Sequence, residues 1–551
     1  MKRIIVLLSL VVTLGIPEIV MAGIIAPARV LLVGGDVMMR SPAGDEWLPV
    51  SVNTPLDEGD ALWTPAGGIS EVQLSNGTIV RVDGGSLLDL IAVEDGFTHL
   101  HLSSGRLYLR TSNNAASNSL QIDADDTTIL PDARTRLRID MLPNSEEDVS
   151  IFKGSAYVEG NGARTKVRTG EHIALEEGHS ELLPLNPPDN WEEWNRERDR
   201  NQSRSVSAES NLPDELSPYS GELETNGTWV YSAEYGMVWR PTALASEEWA
   251  PYRNGRWIWK GNDYVWISNE NWGWLPYHFG RWAFFSGFGW CWVPPIHGDV
   301  YWGPGFVGWY QSGDHVGWTP LAPGEVYYGH GQYGYHSINI KDSPAHSTAV
   351  PYKNRNAHGG LTILLQSDFL IGRAVFQKPT NSAAISASVS LGAPRILPIR
   401  ETRMPVVRQQ PPAAIPPAVP NRDSRELRTR FPRLSREVVK QRSIPPRNVE
   451  TVPYEKAMTA TSPAASIVHR NEGENVHTSP QQKVLNHPEQ KIQSPVARSD
   501  NHLSPANVIR HEDTLKPLNK PEKKVWKVTT TEQVNEKNQK ENDGREHKGK
   551  K

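Results

Sequence analysis

Several residues in this sequence have types and spacings that could do chemistry. Fourteen of the 19 Trp lie between Trp229 and Trp318, and the stretches Trp249–Trp257 and Trp274–Trp282 share the pattern W-x-P-Y-x-x-G-R-W. Trp249, Tyr252, Arg256, Trp257, Trp274, Tyr277, Arg281 and Trp282 are the candidate interaction residues of this pattern. Flat indoles and phenols stack on sugar faces or fill protein hot spots, and a guanidinium stacks on either ring. The same rings are equally suited to a core, since each removes ~150–250 Å² from water. His99 and His101 alternate on one strand face like a metal pair, but no third ligand is evident, and a polar surface role is expected. His330, His336 and His346 sit in a Gly-rich stretch that fixes no ligand geometry. Cys291, the only Cys, lies between Trp290 and Trp292 and reads as a small buried hydrophobe. Asp60 reads as a turn cap. Glu234, Asp263 and Glu270 are the carboxylates that a glycosidase would have to draw on, though no cleft is legible around them. P-loop, G-x-S-x-G, H-E-x-x-H and paired-Cys patterns are missing. The expectation is a protein that is not an enzyme, with no catalytic residue, metal or cofactor.

The elements that must carry these residues are strands. Leu100 and Leu102 alternate with His99 and His101. Leu107 and Leu109 alternate with Arg106, Tyr108 and Arg110, and Ser103-Ser104-Gly105 between the two runs reads as a hairpin turn. Leu137, Ile139 and Met141 alternate with charged residues. Val72 and Leu74 lead through Ser75-Asn76-Gly77 to Val80 and Val82, and Asn-Gly supports the positive φ of a tight turn. These signals predict an all-β sandwich or solenoid-like sheet over 28–185.

The run LDEGDALWTPAGGISEVQLSNGTIVRV (Leu56 to Val82), with FKGSAYVEG (Phe152 to Gly160) and VRTGEHIAL (Val167 to Leu175), resembles the FecR-type extracytoplasmic domain. That resemblance implies an antiparallel β domain with an interaction role. The best-known members are periplasmic sensors that relay a signal from an outer-membrane receptor to a sigma factor. They carry a cytoplasmic segment and a membrane span, where this chain shows a signal-peptide pattern.

A second series of Trp is regularly spaced. Trp239, Trp266, Trp292 and Trp318 are separated by 27, 26 and 26 residues, which predicts about four stacked β-hairpins. This stretch resembles an uncharacterised family of Trp-rich W-x-P-Y and G-R-W repeats in exported bacterial proteins, one that brings no known reaction. Upstream, Asp189 or Asn190 is placed to cap a short helix whose Trp191 and Trp194 could dock it. The segment from Leu361 to Val375 is expected to close the folded part.

Charge divides the chain. Residues 1–400 hold 30 Lys+Arg against 45 Asp+Glu, net −15, and residues 401–551 hold 28 against 18, net +10. Lys2 and Arg3 precede an apolar run from Ile4 to Ile16 and small residues at Val20-Met21-Ala22, the layout of a secretory signal peptide. The predicted organisation is a signal peptide at 1–22, a FecR-like β domain at 23–185 and a helical linker at 186–212. A Trp-rich hairpin domain at 213–325, a small subdomain at 326–385 and a disordered Pro-rich basic tail at 386–551 follow. Expected partners are a protein or a cell-envelope polymer, met in the periplasm or outside the cell. Nucleic acid and a membrane span after cleavage are not expected.

Overall fold

The computed structural model describes residues 26–434, apart from 43, 95, 114, 117–118, 142–145, 177, 205–210, 243–248, 343–351, 373–388, 408–414 and 418–423. The expected signal peptide, His346 and residues 435–551 lie outside the described residues. The fold is mainly β, as expected.

The first module is two sheets joined by one strand. In spatial order the first sheet holds Pro55–Leu56, Ala28–Gly34, Ile69–Gln73, Ile79–Val82, Phe97–Arg110, Arg136–Met141, Glu147–Lys153, Glu171–Glu176 and His179–Pro184. The second holds Leu48–Pro49, Met38–Arg40, Ala61–Thr64, Ser86–Glu94, Phe97–Arg110 again, Leu120–Ala124, Thr127–Pro131, Ser155–Gly160 and Ala163–Arg168. Neighbours are antiparallel except Phe97–Arg110 with Leu120–Ala124. The alternating apolar residues Val72, Val80, Leu100, Leu102, Leu107, Leu109, Leu137 and Ile139 meet in one core, as period-two patterning requires. The Ser75-Asn76-Gly77 turn falls where expected, with Gly77 at φ +82°.

The turn expected at Ser103-Ser104-Gly105 is absent. A single 14-residue strand runs through it. Gly105, at φ +88°, re-aims the strand from one sheet to the other. A flexible residue in an apolar alternation marks a bend as readily as a turn, and here the alternation resumes on the far side.

Helix α1 (Asn190–Arg204) covers the outer face of the first sheet. Asp189 Oδ1 accepts the backbone N–H of Glu192 at 2.8 Å, the predicted cap. Trp191 lies under the guanidinium groups of Arg106 and Arg138, and Trp194 under those of Arg81 and Arg198. The linker helix, expected to dock through Trp191 and Trp194, packs on the first module through both of them.

The second module contains the expected four hairpins: Gly227–Ser232 with Gly236–Pro241, Gly255–Lys260 with Asp263–Ser268, Arg281–Phe285 with Gly289–Val293, and Val307–Ser312 with His315–Pro320. Each carries one directly opposed indole pair: Trp229 with Trp239, Trp257 with Trp266, Trp282 with Trp292, and Trp309 with Trp318. Successive hairpins do not stack edge to edge. The first joins the third through Trp239 and Trp292, while the fourth takes Thr362–Leu365 on one side and Val389–Ser390 on the other. The second hairpin meets the fourth through side chains, with Trp257 4.6 Å from Trp309 between ring centroids.

The tail expected to be disordered from 386 is narrowed. Ala393, Ile396 and Met404 are buried, and Ser424–Arg430 forms a short helix on the first module. Apolar residues spaced too widely for a periodicity signal hold these pieces down.

Candidate functional site

The eight candidate interaction residues are brought together, but largely as core. Tyr252, Trp257, Trp274, Tyr277 and Trp282 are at most 3% exposed, and Arg256 is also buried; Trp249 and Arg281 are partly buried. The Tyr252 hydroxyl donates to the Tyr277 carbonyl at 2.9 Å and accepts the Phe306 N–H at 3.0 Å. The Trp282 indole N–H donates to the Pro276 carbonyl at 3.0 Å. Arg281 stacks 3.8 Å from the Phe306 centroid, and burial pulls its guanidinium down to about 10. Arg256 is pulled to about 10 for the same reason and donates to the Glu401 carbonyl at 2.5 Å. Tyr252, Trp257, Trp274, Tyr277 and Trp282 are packed against other rings of the core and offer no open stacking face.

The three carboxylates do not converge. Glu234 is exposed at the turn of the first hairpin. Burial raises the Glu270 carboxyl, which accepts from the Tyr277 hydroxyl at 2.6 Å and the Trp249 indole at 2.7 Å. Asp263, likewise raised by burial, accepts the backbone N–H groups of Tyr264 and His330. None of them lines a described cavity. Cys291 is fully buried among Val238, Ala283, Phe285 and Val293, and burial pushes its thiol up to about 12. His99 and His101 are not on a polar surface. Both are buried, His99 against Asp123 and His101 against Asp89. Residues 424–434 cover that face, so its polar positions became interior. Among the described residues no cluster has the make-up of a metal site.

A set of buried polar side chains lies at the joint between the modules. Lys260, at the tip of the second hairpin, reaches Asp60 at 2.5 Å and Asp57 at 3.2 Å. Burial opposes its charge, but the two carboxylates outweigh burial and hold the ammonium above its ordinary range. Asp60 also makes the turn predicted for it, accepting the Asp57 N–H at 2.8 Å. Arg29, 1% exposed, donates to Glu222 at 2.5 and 3.0 Å and to Gln73 at 2.8 Å, and lies over Tyr219 and Trp274. Asn53, held at φ +66°, donates to the carbonyls of Ser268 and Glu270. Sequence reasoning missed these residues. The available signal was a charge on an otherwise apolar strand, as at Arg29.

Beside this joint runs an open groove of about 1830 Å³ between the first module, α1 and helix α2 (Ser220–Asn226). Arg134, Lys153 and Arg200 line it and make no ion pair among the described residues, while Arg110 and Arg136 on the same wall share Asp199. The volume and charge exceed those of an apolar small-molecule pocket, typically ~300–1000 Å³. Asp199, Asp214, Glu215 and Glu222 line the groove as well, so the lining carries both signs of charge with basic side chains in excess. Among the described residues no helix is long and apolar enough to cross a membrane.

Residues 60–157 match the model of a family described as FecR protein, and residues 220–325 match a family of unknown function, DUF6600. Two crystal structures of a candidate anti-sigma factor from Parabacteroides distasonis, at 1.65 and 2.50 Å, are similar at 14% identity and a TM-score of 0.20. The similarity covers 23% of this chain and 59% of that one, so the chain spans little more than half of that protein's length. No curated protein matches.

Proposed function

We propose that this chain is an exported bacterial envelope protein that acts by binding, as a sensor-like or scaffolding module, and not by catalysis. The FecR match over residues 60–157 supports a regulatory interaction role, and the basic n-region and apolar run at the start of the sequence support export. The observation that carries the reading is the joint. Two β modules are clasped through buried Lys260 and Arg29, with most of the aromatic side chains used in packing, and an open charged groove runs beside the clasp. An acidic protein surface is the partner such a groove fits.

The test is fractionation of the expressing cell followed by crosslinking and co-purification of the full chain. Retention in the periplasmic or secreted fraction with a protein partner, lost in an Arg134→Glu/Lys153→Glu variant, is expected. Recovery from the cytoplasm, or a partner indifferent to those charges, would sink the reading.

A glycan-binding alternative is favoured by one observation. Tyr335 is 79% exposed and packs edge-on to Tyr301 at 5.8 Å, an arrangement able to stack on a sugar ring. It expects retention of the full chain on peptidoglycan or polysaccharide that is lost in Tyr335→Ala.

A further inference from the structure

Residues 424–434 carry a pattern that looks like a bound peptide. Helix α3 (Ser424–Arg430) buries Leu427, and one helical step later Phe431 is buried as well, both against Ile91 on the outer face of the second sheet. Phe431 lies 4.5 Å from the His101 ring. Beyond the helix the chain extends, and the Gln121 side chain reads its backbone from both sides: Nε2 donates to the Pro432 carbonyl at 3.3 Å and Oε1 accepts the Leu434 N–H at 3.0 Å. Arg428 reaches Glu58 at 2.7 Å and Glu94 at 3.0 Å. Arg433 lies 3.7 Å from the Phe97 centroid and 3.7 Å from Glu94.

We propose that this face, built from Glu58, Ile91, Glu94, Phe97, His101 and Gln121, is a docking site for a basic helical peptide with apolar anchors four residues apart, and that residues 424–434 occupy it reversibly in cis. The occupant is set by complementarity. The basic tail supplies arginines, and the acidic first module supplies the carboxylates. Two anchors reach apolar and ring surfaces, and one amide side chain substitutes for a neighbouring strand. No residue of 424–434 enters the core between the two sheets. The ion pairs join side chains roughly half exposed, so each contributes little. Two anchors with weak ion pairs make a modest interaction, and the covalent connection to the rest of the chain maintains it by holding the segment at a local concentration on the order of millimolar. The docking stands or falls independently of what the modules bind elsewhere.

The experiment titrates a fluorescein-labelled peptide of residues 424–434 into the full chain and into a full-length Leu427→Ala/Phe431→Ala variant, by anisotropy. The variant, its own segment released, should bind the peptide saturably and at least tenfold more tightly than the wild type. Adding Glu94→Lys to that variant should weaken binding at least fivefold, as should carrying both Ala substitutions on the peptide. Equal binding by both chains, or no binding by the variant, would overturn the proposal. Hydrogen exchange of the wild-type chain supplies a second readout that needs no variant. Amides of 427–434 should exchange at least a hundredfold faster than those of Phe97–Arg110. Exchange as slow as that strand would make the segment an integral part of the fold and refute reversible docking.

Discussion

At the scale of single residues, the consequential feature is polar chemistry placed where water cannot reach it. His278, fully buried, stacks on Trp302 at 5.3 Å and bonds the Gly303 carbonyl through Nδ1 at 2.8 Å. Burial pulls its imidazole down to about 4. The unfolded chain would take up that proton near pH ~6.5. Between those values the unfolded state binds more protons, so stability is intact above the unfolded pKa and is lost as pH falls toward the folded one. At ~1.4 kcal/mol per unit, the loss is on the order of 3 kcal/mol. His278→Asn, which keeps a donor for Gly303, should therefore lose markedly less stability than the wild type between pH 7 and pH 4.5 in urea titrations. Parallel losses in the two proteins would remove His278 as the cause.

At the scale of elements, both modules solve the same problem with different side chains. Sheets of alternating Val, Leu and Ile bury one face against each other. Four short hairpins have few inward positions and fill them with indoles that meet across strands. The long strand Phe97–Arg110 makes the first solution possible by belonging to both sheets, and Gly105 is its pivot. A Cβ there would lie 2.1 Å from Ser86 Oγ and 2.6 Å from Ser86 Cα, at a φ that side chains resist. Backbone strain of ~1–2 kcal/mol and overpacking of ~1–3 kcal/mol add to about 2–5 kcal/mol. Gly105→Ala should lower the calorimetric midpoint by roughly 5–10 °C. A drop below about 2 °C would mean that the strand bends without needing glycine.

At the scale of the whole molecule, the joint holds two modules of different composition together through desolvated charges. Removing one partner of such a pair leaves the other buried and unpaired, typically at about 3–5 kcal/mol. Lys260→Met should show that loss, because Asp60 is 1% exposed. Lys260→Met combined with Asp60→Asn should recover most of it, since no buried charge then remains to be compensated and Asp57 is half exposed to water. Trp fluorescence, which reports mostly on the second module, and hydrogen exchange of the Leu120–Ala124 strand, which reports on the first, would follow the two modules separately. Coincident transitions in the wild type that separate in Lys260→Met are expected. Additive effects of the two substitutions would show the pair to be uncoupled.

The amino-acid order alone determined whatever depends on neighbours close along the chain. Period-two alternation named the strands around Val72, Leu100 and Leu137, Asn76-Gly77 named a turn, Asp189 named a helix start, and the 26-residue spacing named the hairpins. Each rests on local geometry that repeats wherever the residues do. Tertiary structure decided which rings face water, why the first hairpin seeks the third, how Arg29 and Lys260 come to be buried, and where Leu427 and Phe431 dock. Those outcomes depend on surfaces meeting from distant parts of the chain, and no periodicity within one segment encodes what will cover it. For that reason His99 and His101, polar positions on a readable strand, were legible as a pattern and misread as surface.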